Sequence, residues 1–242
     1  MTESVAPLAG RRAVVTGASG GIGLATARRL AALGAEVALV ARRGDVLRAE
    51  AAHLGGAATA MPCDVTDAAA VDQLVRDLGD RWADGADVLV NNAGVFAPAR
   101  VHETSLAAFR LALDTNLLAP FLLVRALLPA MLARGTGHVV TVGSVADRAV
   151  FPENGAYAAT KFGARALHEV LRAELRGSGV RATLVSPGPV DTPLWDAVDP
   201  DGREGYTPRA AMLPADAVAD AIAYALLQPA RVNVDELRLS GS

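Results

Sequence analysis

The chain has 242 residues, 52% of them hydrophobic and 4% aromatic, with 23 Lys and Arg against 26 Asp and Glu for a net charge of −3. That length suits one or two domains, and the apolar share suffices for a large core filled by Ala, Val and Leu. A slightly acidic chain points away from nucleic acid or an anionic membrane as partner, and the lone Cys63 excludes an intrachain disulfide framework and a cysteine-based zinc site.

The residues before Gly10 include Glu3 and no apolar run, so no signal peptide is expected. The most apolar stretch, residues 117–133, is interrupted by Arg125 and two prolines and is shorter than the ~20 residues of a bilayer span. A core helix and a cytoplasmic protein are the expectation.

In chain order, residues 13–15 read as a short strand, 17–23 as a Gly-rich turn and 24–33 as a helix. Glu36–Ala41 reads as a buried strand, 45–53 as a short helix, 57–61 as a strand, 67–82 as a helix capped by Asp67, and 87–90 as a strand. A long helix over 105–133, a strand over 138–142, a helix over 157–176 and a strand over 181–185 follow. Ala215–Leu227 reads as a helix and 232–239 as a last strand. Apolar strands alternating with helices predict an α/β fold, a Rossmann-type doubly wound parallel sheet of about seven strands with helices on both faces. No composition shift divides the chain, so one nucleotide-binding domain over 1–242 is expected, with residues 192–213 as a lid over the substrate.

The first turn runs Thr16-Gly17-Ala18-Ser19-Gly20-Gly21-Ile22-Gly23 between a strand and a helix. Glycines there permit a tight turn, let backbone approach a pyrophosphate without a Cβ, and aim helix N-terminal N–H groups at the anion. Gly17, Ser19, Gly20, Gly21, Ile22 and Gly23 are therefore candidate cofactor contacts. The second strand ends in Arg42 and Arg43, not in the carboxylate that holds the ribose 2′-hydroxyl of NAD. A 2′-phosphate would meet forked guanidinium donors, which predicts NADP(H). Asp64 and Val65, ending the third strand, are placed to meet the adenine.

Tyr157 and Lys161 stand at i and i+4 on a helix and share a face. An ammonium beside a phenol stabilises the phenolate, which suits Tyr157 to general acid/base work. Ser144, just after a strand, can donate a hydrogen bond to a substrate oxygen as charge develops there. Pro120 lies four residues after Asn116 and has no N–H to offer its carbonyl, so a kink with a free carbonyl able to hold a water is expected.

The motifs Thr16–Gly23, Asn91-Asn92-Ala93-Gly94, Ser144 thirteen residues before Tyr157, Tyr157-Ala158-Ala159-Thr160-Lys161 and Pro187-Gly188-Pro189-Val190-Asp191-Thr192 stand in one order. In that order and spacing the chain resembles the short-chain dehydrogenase/reductase family, from about Gly10 to the end. The resemblance implies a catalytic set of Asn116, Ser144, Tyr157 and Lys161, with the Asn116 carbonyl and a water linking Lys161 to solvent. It implies that Tyr157 and Lys161 also meet the nicotinamide ribose, that Asn92, Ala93 and Gly94 lie beside the adenosine ribose, and that Pro187, Gly188, Val190 and Thr192 flank the carboxamide. It further implies a small-molecule carbonyl or alcohol as substrate, no metal, and a homotetramer or homodimer pairing the two long helices.

Gly143 replaces the small hydroxyl residue often found before the family's serine, and the glycine turn lacks the basic residue of some NADP-preferring relatives. The chain's end lacks a Gly-Gly tail, which favours small-molecule carbonyl reduction over reduction of a 3-oxoacyl thioester. A non-catalytic nucleotide sensor is the reading of a different class, and the presence of all four catalytic residues argues against it. His53, His102, His138 and His168 have no ligand spacing and read as structural or surface residues, and Cys63 reads as a packed thiol. Phe96, Phe151, Leu194 and Trp195 are candidates for an apolar substrate mouth.

Overall fold

The computed structural model describes residues 6–241. Seven parallel strands form one sheet in the order β3-β2-β1-β4-β5-β6-β9: β1 Arg12–Thr16, β2 Glu36–Ala41, β3 Ala58–Pro62, β4 Val88–Asn91, β5 Gly137–Val142, β6 Val180–Pro187 and β9 Glu236–Leu239. Runs such as Val-Leu-Val in β4 are buried on both faces, as a sheet covered by helices on each side requires. Helices α1 Gly21–Ala32, α2 Gly44–His53 and α7 Ala215–Leu227 cover one face, packing Leu30, Leu47, Ile222 and Leu226 against Val15, Leu39 and Val90. Helices α3 Ala68–Arg81, α5 Ala119–Arg134 and α6 Gly155–Glu174 cover the other, with Leu78, Leu123 and Met131 against Val14, Leu89 and Val139.

From β1 the chain winds outward to β3, then returns to place β4 on the other side of β1. At that reversal the loops leaving β1 and β4 diverge and open a crevice at the carboxyl ends of the strands. Both candidate motifs of the first half, the glycine turn and Asn91–Gly94, lie on those loops.

The expected strands and helices are present, with three differences. The last strand is only Glu236–Leu239, because residues just before it are held by side chains instead of a ladder. Asn233 takes both the N–H and the carbonyl of Ala182 at 3.0 Å, and the Arg181 guanidinium takes the Val232 carbonyl at 3.1 Å. The kink expected at Pro120 is absorbed as one wide turn, Asp114–Leu118, between α4 Leu106–Leu113 and α5. The apolar stretch 117–133 also lies within a longer helix: α4, the wide turn and α5 run on as one over Leu106–Arg134, 29 residues, long and apolar enough to cross a membrane by length and composition alone. It nevertheless connects β4 to the neighbouring β5 and lays Leu122, Leu123, Leu127 and Met131 on the sheet, which makes it the crossover helix of a β-α-β unit.

Residues 192–213 are an ordered excursion between two short paired strands, β7 Val190–Asp191 and β8 Leu213–Pro214. Arg209 staples its ends, donating to Asp191 Oδ1 at 2.7 Å, Asp196 Oδ1 at 2.6 Å and the Thr192 carbonyl at 3.3 Å. Trp195 Nε1 donates to the Val190 carbonyl at 3.0 Å and turns its ring back toward the crevice.

Candidate active site

The crevice is a cleft of about 1130 Å³ at the carboxyl end of the sheet. Of the residues expected from the sequence, Gly17, Ser19, Gly20, Gly21, Ile22, Arg42, Arg43, Asp64, Val65, Asn92, Ala93, Gly94, Ser144, Tyr157, Lys161, Pro187, Gly188, Val190 and Thr192 all line it. Two do not. Gly23 lies beneath the glycine turn, where a Cβ would come within 2.4 Å of the Gly17 carbonyl oxygen and 2.6 Å of Asn92 Nδ2. Asn116 is buried behind the wall.

The glycine turn is shaped by close approach. Gly17 has φ +68 and a Cβ there would stand 2.7 Å from Asn92 Nδ2, while Gly21, φ +53, leaves only 3.0 Å to Thr192. Thr16 locks the turn to β4, its hydroxyl accepting the N–H groups of Asn92 and Ala93 at 2.9 and 3.0 Å and its carbonyl accepting Asn92 Nδ2 at 2.8 Å. The N-cap of α1 is Gly20, which has no side chain to take the helix's first N–H groups, and Gly20, Gly21 and Ile22 line the cleft, the arrangement an anion of the pyrophosphate kind requires. Arg43 reaches across from the end of β2 and donates to the carbonyl and hydroxyl of Ser19 at 3.1 and 3.2 Å. Asp64 accepts the hydroxyl and N–H of Thr66 at 2.7 and 3.0 Å, bonds that hold its carboxyl below the usual carboxylate range. Cys63 beside it is a buried thiol pushed up to about 11 by burial, consistent with inert packing.

On the opposite wall α6 carries Tyr157 and Lys161 on one face. The Lys161 ammonium is buried, donates to the Val142 carbonyl at 3.0 Å and stands 5.5 Å from the centre of the Tyr157 ring. Ser144, two residues after β5, accepts the Ala146 N–H on its hydroxyl at 3.1 Å. Asn116 holds the wall together with its side chain: Oδ1 accepts Val95 N–H at 2.8 Å, and Nδ2 donates to the Val95 carbonyl at 3.0 Å and to Thr160 Oγ1 at 3.1 Å. Its side-chain amide therefore joins the loop after β4 to the turn of α6 that carries Lys161.

Beyond Tyr157 the cleft is aromatic. Phe96 meets the Tyr157 ring edge-on at 5.0 Å and Trp195 at 5.2 Å, and Trp195 meets Tyr206 at 6.2 Å. Sequence reading missed Glu153, whose carboxylate accepts the Tyr206 hydroxyl and Arg203 Nη2, both at 2.9 Å, and so ties residues 203–206 to the loop before α6. Nothing local signals that contact, which joins residues 50 and 53 positions apart. It also missed Asp147, although Ser144-x-x-Asp147 has the spacing of a capping box. His138 and His168 are buried partners of Thr183 and Thr141, at 2.8 and 2.9 Å, away from the cleft.

The family model described as short chain dehydrogenase matches residues 11–202. An oxidoreductase of Staphylococcus haemolyticus is 37% identical over 238 residues, covering 98% of each chain. Among solved structures, a metagenomic short-chain oxidoreductase in complex with NADP superposes with TM-score 0.83 at 34% identity, covering 98% of this chain and 99% of that one. An alcohol dehydrogenase of the archaeon Thermococcus sibiricus, complexed with 5-hydroxy-NADP, gives 0.82 at 32% identity over 95% of both. With the sheet order, the glycine cradle and the Ser-Tyr-Lys wall in place, these matches make the chain a member of the short-chain dehydrogenase family of oxidoreductases.

Proposed function

We propose that this chain is an NADP(H)-dependent oxidoreductase that interconverts a small-molecule carbonyl and an alcohol, with Tyr157 as the general acid/base. The observation that carries the reading is the wall of Ser144, Tyr157 and Lys161 facing one cleft whose floor is the uncapped N-terminus of α1. The glycine turn would hold the pyrophosphate, and Arg42 and Arg43 the 2′-phosphate; NADP-bound relatives support that choice. When bound, the nicotinamide supplies or accepts the hydride. Tyr157 gives its hydroxyl proton to the carbonyl oxygen in the reducing direction and takes it back in the oxidising one. Ser144 accepts the Ala146 N–H on one of its hydroxyl's two lone pairs, and its own proton would be donated to that oxygen. Lys161, held by the Val142 carbonyl 5.5 Å from the centre of the Tyr157 ring, has N–H donors left for the nicotinamide ribose hydroxyls. Pro120 has no N–H for the Asn116 carbonyl, which suits that carbonyl to hold a water that returns protons toward Lys161.

One domain carries the whole reaction, and residues 192–213 act as its lid. Phe96, Trp195 and Tyr206 line an apolar substrate subsite that favours small aldehydes and ketones over a 3-oxoacyl thioester. The exposed apolar side chains of Leu118, Phe121, Phe162 and Val170 along the two long helices fit pairing with further copies of the chain. A cytoplasmic setting fits this chemistry, with Cys63 a free thiol.

The test follows absorbance at 340 nm with NADPH or NADH and benzaldehyde, 2,3-butanedione or acetoacetyl-CoA. Oxidation of NADPH in preference to NADH on benzaldehyde or butanedione is the expected result. Preference for acetoacetyl-CoA would replace the substrate class, and no oxidation of either nucleotide on any of the three would replace the enzyme reading with a nucleotide sensor.

A further inference from the structure

The loop that carries Ser144 is built around a buried carboxylate. The Asp147 side chain is fully buried, and each of its oxygens is engaged. Oδ2 accepts the Ser186 hydroxyl at 2.5 Å and the Ser144 N–H at 3.4 Å; Oδ1 accepts Arg148 Nε at 2.7 Å and Arg165 Nη1 at 3.5 Å. The Asp147 N–H returns to the Ser144 carbonyl at 2.9 Å. Ser144 is thus held at its backbone on both sides by one residue, in an extended conformation at the wall of the cleft.

The partners of Asp147 come from the elements that hold the rest of the site. Ser186 is the penultimate residue of β6, directly before the Pro187-Gly188 pair that lines the cleft. Arg165 is on α6 at the spacing Tyr157, Lys161, Arg165, so its guanidinium lies one turn further along the face that presents the acid/base pair. Arg148 and Arg165 also pair with Glu236 on β9, which neutralises the second guanidinium and closes the network at the sheet edge. A carboxylate taken wholly out of water is tolerated only with such partners, and removing its charge leaves them to rearrange.

Gly143 completes the fit. A Cβ there would stand 2.6 Å from Asp147 Oδ2, 2.7 Å from Ser186 Oγ and 3.1 Å from Leu184 Cδ1. The carboxylate fills the space that a side chain at position 143 would occupy, so the absence of a hydroxyl at 143 and the presence of a carboxylate at 147 are one arrangement.

We infer that Asp147 is a positioning residue for the reaction: with Ser186 and Arg165 it fixes the Ser144 hydroxyl relative to Tyr157 on α6. The inference rests on the catalytic reading of Ser144 given above. If Asp147 acts through Ser144, its removal costs nothing once the serine hydroxyl is gone.

The experiment measures kcat and KM for the fastest carbonyl of the panel above, NADPH affinity by fluorescence titration, and the thermal midpoint, for Asp147→Asn, Ser186→Ala, Ser144→Ala and the two double variants that add Ser144→Ala to each of the first two. Ser186→Ala, a smaller change, is carried alongside in case Asp147→Asn does not fold. We expect Asp147→Asn to lower kcat by ~10- to 100-fold, less than loss of a whole oxyanion donor, with KM and NADPH affinity changed less than about threefold. Ser186→Ala should lower kcat in the same sense, and either change added to Ser144→Ala should leave kcat where Ser144→Ala alone puts it. Multiplying effects in both double variants, or an unchanged kcat in folded Asp147→Asn or, failing that variant, in Ser186→Ala, would overturn the positioning role while leaving Ser144 catalytic. An unchanged kcat in Ser144→Ala, or no turnover by the wild type, would overturn the reading of Ser144 and this inference together.

Discussion

The guanidinium of Arg43 donates to both the carbonyl and the hydroxyl of Ser19, at 3.1 and 3.2 Å, and so closes the end of β2 onto the glycine turn. A fork in that position has donors left for a phosphate laid between the two loops. Arg43→Ala should raise KM for NADPH by ~10- to 100-fold, the loss of one or two hydrogen bonds to a charged group, and leave KM for NADH within about threefold. Equal losses for both nucleotides would assign Arg43 to the turn's conformation instead of the 2′-phosphate.

Tyr157→Phe keeps the ring that packs on Phe96 and removes only the hydroxyl. Steady-state kinetics should show kcat down by at least ~100-fold, the usual range for a lost general acid/base, while NADPH titration and the thermal midpoint stay near wild type. A kcat within tenfold of wild type would remove Tyr157 from the chemistry.

Gly23→Ala introduces a methyl 2.4 Å from the Gly17 carbonyl oxygen, a backbone contact that no side-chain rotation relieves. It should cost about 1–3 kcal/mol in urea unfolding and weaken NADPH binding, because the turn itself must shift. Gly79→Ala, in α3 with nothing within 4 Å of the new methyl, should be neutral or stabilising by up to about 1 kcal/mol. Similar effects at the two positions would show that Gly23 is not packed as described.

His138 and His168 are held neutral by burial, their pKa values pushed down to about 3 and about 4. Unfolded histidine titrates near ~6.5, so below that pH the unfolded chain binds protons that the folded chain refuses. Their contribution is therefore complete above about pH 6.5 and is lost as pH falls toward 4, at up to about 1.4 kcal/mol per pH unit for each histidine. Thermal midpoints should fall steadily between pH 7 and 5, and His168→Gln should flatten that slope. A midpoint independent of pH across this window would contradict the burial of both rings.

Local chemistry made much of this protein legible in one dimension. The Val- and Ala-rich strands alternate with helices and so determine a parallel sheet, the glycine turn reveals where an anion would bind, and Tyr157 with Lys161 shows its shared face by i, i+4 spacing alone. Each of those features is decided within a few residues. The contacts that span the chain were not legible. Asp147 with Ser186 and Arg165, Glu153 with Arg203 and Tyr206, and the Asn116 amide with the Val95 backbone and Thr160 join groups 18 to 53 positions apart. No periodicity encodes such pairs, because the sheet order that brings them together is itself a product of packing both helical layers. The wide turn before Pro120 is the intermediate case: the missing N–H was visible, but the form the chain takes around it, a loosened turn inside one continuous helix, was not. The sequence by itself determined the fold and the chemistry offered to the cleft; tertiary structure decided which buried polar groups hold that chemistry in place.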